Sequence, residues 1–361
     1  MKKKPTLSMG GVLTAVLAAA LYSISSPVSK LLLQELSPTQ MAALLYLGAG
    51  VGMIVVRLIR SKSVSEQKEA GLSKRELPYI LVMILLDIAA PILLMLGLLT
   101  TDPANVSLLN NFEIVATSFI ALFLFHEAIG RRMWIAIGLI SLSSIVLSLQ
   151  GRQSLEFSMG SIFVLLACCC WGFENNCTRK LSLKDPLQIV IIKGIGSGAG
   201  ALLITFITGQ FSVQLSYILI ALLVGFVAYG LSIYFYIKAQ RVLGAARTSA
   251  YYATAPFIGV LLSWIIFRDG ITVQFIIACA IMLLGSYFAV TEFHYHTHIH
   301  DRVTHEHKHN HIDGHHTHMH SPAFRGEHSH AHTHEAIEHS HVHTPDPHHT
   351  HRHQAHKETE Q

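Results

Sequence analysis

Four charged side chains sit deep in stretches that are otherwise apolar. They are Asp87 in ILVMILLDIAAPILL, Glu113 just after Asn110 and Asn111, Glu174 at the head of Glu174-Asn175-Asn176, and Lys193 in IVIIKGIGSG. A charge at bilayer depth costs roughly 3 kcal/mol on insertion scales, so such residues face a bundle interior or a wet cavity. Carboxylates in that position hold a proton or a cation, and a lysine holds an acid. Glu113 is the strongest candidate for solute or coupling chemistry. Asn110 shares its helical face at i, i+3, and Asn111 adds a second amide within the turn. Asp87 and Glu113 have no local countercharge in the sequence, and burial favours their neutral forms until a cation or a proton-linked solute arrives. Glu174 and Lys193 lie on consecutive antiparallel helices, each roughly 6–9 residues from the turn between them, so at 1.5 Å per residue they share a depth. That placement predicts an ion pair. The alternative to a transport role for it is a structural lock between the two helices. Asn175 extends the amide set next to Glu174. Tyr251 and Tyr252, at the depth of Glu113 in a later helix, offer either hydroxyls from the opposite half or packing aromatics.

A second chemistry begins at His294. Residues 294–361 hold 24 of the 25 histidines, in a rhythm of two: His294, His296, His298 and His300, then His305, His307, His309 and His311, then His315, His316, His318 and His320, then His328, His330, His332 and His334, with more beyond. Neutral imidazole is the commonest protein ligand for Zn, Ni, Co and Cu. Alternation gives no fixed tetrahedral spacing, so the expectation is several exchangeable sites for a divalent transition metal, while the body of the chain requires no cofactor. Few aliphatics are present and no core can form, so the tail is expected to be disordered without metal.

The elements that must position the charged residues are apolar runs. Ten occur, at about 10–33, 39–59, 77–99, 104–126, 132–150, 158–181, 186–208, 214–237, 245–267 and 272–291, each long enough for a bilayer core of ~30 Å. The composition agrees: 51% hydrophobic and 13% charged, a balance that excludes a soluble domain. With the N-terminus inside, the cytoplasmic segments carry 17 Lys/Arg and the outer ones only Lys30, Arg152 and Arg268. Ten spans then return the tail to the cytoplasm, giving a multi-pass protein of the cell membrane with both termini inside. The first run resembles a signal peptide but continues to Leu33, and reads as an uncleaved helix. The basic excess of the body, +8, follows topology, and no aromatic-interleaved basic patch for nucleic acid is present. The five cysteines lack C-x-x-C spacing, which leaves small apolar packing as their role. No nucleophile–base pair or phosphate-binding glycine loop is visible, so neither an enzyme nor an ATP-driven pump is expected. The oligomeric state has no signature in the sequence.

Two internal matches organise the runs. Ala104–Glu127 lies on Ala246–Asp269 without a gap, with Ala104/Ala246, Ser107/Ser249 and Phe125/Phe267 identical and Glu127 opposite Asp269. Ala20-Leu21-Tyr22-Ser23-Ile24 lies on Cys169-Cys170-Trp171-Gly172-Phe173, and Pro38 and Pro186 close the next turns. Repeats of five spans place the second half upside down, a design in which solute is held at the midplane between halves. With the small-residue entries, the acidic ends Glu127 and Asp269, Ala255-Pro256 and Trp171-Gly172, the chain resembles the drug/metabolite transporter superfamily, specifically its EamA-type ten-helix members. The first copy departs by having Glu113-Ile114 where the second has the mid-helix proline. The resemblance implies an all-α integral membrane fold with repeats at 10–150 and 158–291 and a tail at 294–361. It also implies a secondary transporter, exporting a small metabolite or amino-acid-like solute. The alternatives are a Zn, Ni or Co efflux carrier fed by the tail through Asp87 and Glu113, or a membrane-anchored metal buffer or sensor. The cargo-metal reading meets spans without histidine, since the only body histidine is His126 at a helix end.

Overall fold

Proline sets where many of the helices begin. Its fixed φ suits the first turn, and its missing N–H costs nothing there. The computed structural model describes residues 9–61, 72, 76–125, 130–148, 158–181, 184–243, 248, 251–268 and 270–291, with 294–300, 303–309, 328–334 and 337–343 in the tail. The helices in chain order are α1 Met9–Ser23, α2 Ser25–Leu32, α3 Pro38–Ser61, α4 Leu77–Thr100, α5 Pro103–Leu109, α6 Phe112–Phe125, α7 Arg131–Ser148, α8 Met159–Leu181, α9 Pro186–Ile207 and α10 Leu215–Val224, followed by a π-helical stretch Gly225–Leu231, α11 Ser232–Leu243, α12 Ala255–Phe267 and α13 Val273–Val290. Prolines open α3, α5 and α9, stand second in α4 and α12, and lie inside α4 only at Pro91. Asp185 caps α9 by accepting from the Leu187 N–H at 2.9 Å, and Thr272 caps α13 through Phe275 at 3.1 Å.

Among the described residues, six helical stretches are long and apolar enough to cross a membrane: Met9–Leu32, Pro38–Arg60, Leu77–Thr100, Pro103–Leu124, Pro186–Ile207 and Leu215–Ala239. The helices α7, α8, α12 and α13 fall on the other four expected runs, α12 and α13 being shorter and apolar. The burial pattern suits lipid. On α9 Leu203, Phe206 and Ile207 are exposed, while Lys193, Ser197 and Thr205 are buried. A soluble helix reverses this arrangement.

Three expected spans are not continuous. The fourth run breaks at Asn110-Asn111, between α5 and α6, where Glu113 and Ile114 donate to the carbonyls three residues back at 3.1 and 3.0 Å. Asparagine competes for backbone groups and favours turns, which is why the helix yields here. The first run breaks at Ile24, between two serines, and α12 starts anew after a turn at Ala253-Thr254.

Glycines bring α3 and α9 into backbone contact. A Cβ on Gly50 would stand 2.7 Å from the Ile195 N, and one on Gly198 2.7 Å from the Leu47 N. Gly48 and Gly52 face Leu222 and Phe226, while Gly196 and Gly200 face Ile84 and Ile88. Helices without side chains at the seam approach closely, and in a bilayer that contact carries association.

In the tail, His294–His300 pairs antiparallel with Ile337–His343, and Val303–His309 with His328–His334. Alternation with period two is the period of a strand, and it suits pairing here. Both registers set histidine opposite histidine, as in His296↔His341 and His307↔His330. The expected ligands His311, His315, His316, His318 and His320 lie outside the described residues, as do His126 and Glu127.

Candidate functional site

Lys193 stands between two acids. Its Nζ lies 3.0 Å from Glu174 Oε1 and 3.2 Å from Asp87 Oδ2. The three come from α9, α8 and α4, and are 8%, 2% and 0% exposed. The expected Glu174–Lys193 pair is present. The expectation that Asp87 lacks a countercharge is corrected: its partner is on α9, remote in sequence but packed against α4 through Gly196 and Gly200. Further donors complete the trio. The Tyr46 hydroxyl donates to Asp87 Oδ1 at 2.8 Å, Trp171 Nε1 donates to the Tyr46 oxygen at 3.5 Å, and the Thr178 hydroxyl donates to Glu174 one turn earlier. Pro91, four residues after Asp87, cannot donate to the Asp87 carbonyl.

Glu113 belongs to a neighbouring cluster. It is half-buried at the start of α6, and its Oε1 accepts from Asn175 Nδ2 at 2.5 Å. Consecutive helical residues point about 100° apart, so α8 turns Glu174 toward α9 and Asn175 toward α6. Close packing makes the reach short: a Cβ on Gly172 would meet the Ala116 Cβ at 2.7 Å, and Asn176 donates to the Thr117 carbonyl at 3.2 Å. Asn110 and Asn111 are buried at the break beside Glu113. Asn110 Oδ1 and Asn111 Nδ2 have no hydrogen-bond partner among the described residues.

A tyrosine chain joins the broken helices. Ring centroids of Tyr46 and Tyr229 are 5.3 Å apart, those of Tyr229 and Tyr22 5.9 Å, and those of Tyr22 and Tyr252 5.9 Å. Tyr229 lies in the π-helical stretch, whose extra residue per turn re-aims side chains and often marks a functional site. The Ser23 hydroxyl, at the break of the first run, reaches the Ala255 carbonyl at 2.7 Å.

The sequence candidates thus divide. Asp87, Glu174 and Lys193 meet in one trio, Glu113 and Asn175 in another contact, and Asn110 and Asn111 at the adjoining break. Tyr251 does not join them. It packs with Val12 on the small cluster around Ala15 and Ala239, and its neighbour Tyr252 takes the place beside Tyr22. Tyr22, Tyr46, Thr117, Trp171 and Tyr229 were not foreseen as site residues. Their hydroxyls and indole stand beside the charged residues, but such side chains in apolar helices give no separate signal.

Apolar helices, breaks within them, and buried charges with hydroxyls beside them define a multi-pass membrane protein built as a carrier. The chain belongs to the EamA-like transporter family, whose model matches residues 9–149 and again 158–291. A curated relative from Methanothermobacter thermautotrophicus, named "Uncharacterized transporter", is 25% identical over 291 residues, covering 76% of this chain and 84% of its own. A solved crystal structure is similar with a TM-score of 0.57 and 17% identity, over 78% of this chain and 95% of its own, a likeness of fold alone.

Proposed function

We propose that the chain is a secondary transporter of ten spans, in two inverted five-helix repeats at 10–150 and 158–291, that exports a small metabolite or amino-acid-like solute through the cell membrane. The observation that carries this reading is Glu113. A half-buried carboxylate at a helix break, held by Asn175 and flanked by the amides of Asn110 and Asn111, suits a solute ammonium. The inverted repeat draws support from the glycines. LGAGVG at 47–52 and IGSGAG at 195–200 align residue for residue, and Gly50 meets Ile195 as Gly198 meets Leu47. Such reciprocity is what a two-fold axis requires. Gly48 and Gly52 meet one flanking helix as Gly196 and Gly200 meet another, and the family model matches once on each half. The breaks at Asn110-Asn111 and Ala253-Thr254 fall within a residue or so of equivalent places when Ala104 is laid on Ala246.

For purified protein in liposomes, uptake of a panel of labelled amino acids tests the reading. Glu113→Gln is expected to lower uptake of any amino acid carried at least tenfold, about 1.4 kcal/mol or more, with the melting temperature retained. Uptake unchanged by Glu113→Gln sinks the assignment.

The tail is proposed to bind divalent transition metal on the cytoplasmic side. Zn²⁺ titration of the full chain should show several sites that a chain ending at Phe293 lacks. Imidazole must be neutral to ligate, so binding should weaken as pH falls through about 6.5. Equal binding by both chains would exclude the tail as ligand. Metal as cargo gains no support, because Lys193 already fills the place between Asp87 and Glu174.

A further inference from the structure

Asp87, Glu174 and Lys193 do not balance. Two carboxylates and one ammonium leave one negative charge in a site whose members are at most 8% exposed. An uncompensated charge is costly in a protein interior and more so in hydrocarbon. Among the described residues, the surroundings supply no second cation. The other titratable groups around the trio are Tyr46 of α3, Glu113 of α6, Cys170 and Cys177 of α8 and Tyr229 of the π-helical stretch, acids all. Neutral donors already serve both acids: Tyr46 and Trp171 on the Asp87 side, Thr178 on the Glu174 side. They stabilise negative charge but do not cancel it.

We propose that the Asp87–Lys193–Glu174 trio is a proton-binding site, holding one exchangeable proton between its two carboxyls and separate from Glu113. The proton comes from water and converts one carboxylate to a carboxylic acid, so the trio is neutral when loaded. Lys193 stays an ammonium throughout and serves as the fixed charge against which the proton is taken up and released. Releasing the proton leaves the trio at −1, the costlier state for a buried site. That division of labour gives Glu113 to the solute and the trio to the coupling ion.

The proton serves coupling only if the chain transports, so its presence is tested without transport. Infrared spectra of the full chain in lipid, recorded in H₂O and D₂O, report protonated carboxyls through their C=O stretch. We expect a deuterium-sensitive carboxylic-acid band that persists in Glu113→Gln and is lost in Asp87→Asn and in Glu174→Gln. Each of the last two leaves one carboxylate facing Lys193, a balanced pair with no need of a proton. Should one of them fail to fold, by its melting temperature, the other decides. A wild-type band that Asp87→Asn and Glu174→Gln leave unchanged, or the absence of any such band, overturns the proposal. So does a band that Glu113→Gln alone abolishes. The Glu113→Gln uptake assay fails or succeeds independently of these spectra.

Discussion

Lys193→Met should be the most destabilising single change in the polar interior, costing about 3–5 kcal/mol, because it leaves two buried acids without their cation. The loss is read as a fall in melting temperature of detergent-solubilised protein, followed by tryptophan fluorescence. Asp87→Asn and Glu174→Gln are the comparison. Each preserves one ion pair to Lys193, at 3.0 or 3.2 Å, and each replacement amide can still accept from Tyr46 or Thr178. Both should lose far less than Lys193→Met. If the three variants melt together, Lys193 is not the shared partner of the two acids and the trio is misassigned.

Filling the glycine seam should be nearly as damaging. Gly50→Leu or Gly198→Leu drives a side chain into backbone that stands 2.7 Å from the first added carbon, and the Leu47 and Ile195 nitrogens it meets have nowhere to retreat. Overpacking of that kind costs about 1–3 kcal/mol and occasionally more. The two should behave alike, since they occupy reciprocal places. Gly138→Leu is the control, for a Cβ there meets nothing within 4 Å. Expression and monodispersity in detergent, with the melting temperature, give the comparison. Tolerance of Leu at Gly50 beside intolerance at Gly198 would break the reciprocity on which the two-fold reading leans.

Legibility in the sequence followed from how each signal is encoded. Helix positions were plain, because apolar length and flanking prolines are local properties, and each expected run falls on helices of the structure. The Glu174–Lys193 pair was legible because a short turn joins α8 to α9, which makes depth countable. Asp87 was misjudged for the converse reason. Its partner lies on a helix that packs on α4 without following it in the chain. The choice between Tyr251 and Tyr252 hung on helical phase, and the turn at Ala253-Thr254 interrupts that phase. The break at Asn110-Asn111 was written in the asparagines, yet the run around them is apolar enough to pass for one helix. In α9, Gly194, Gly196, Gly198 and Gly200 stand as a stripe of alternate residues. Its meaning emerges only beside the same spacing at Gly48, Gly50 and Gly52 in α3.

Lys193 and Gly194 are adjacent, and a Cβ on Gly194 would stand 2.8 Å from the Tyr46 carbonyl, so the trio lies within a turn of the point where α3 crosses α9. Taken as a fulcrum, that crossing sets the lever arms of the whole bundle. An atom one helical turn away, about 5 Å, sweeps a third of the arc of an atom three turns away. Rocking one half against the other would therefore open and close the distant helix ends while the ion pairs of Lys193 keep their length. A proton parked at the fulcrum travels with neither end, and what changes around it is which side of the membrane it can see.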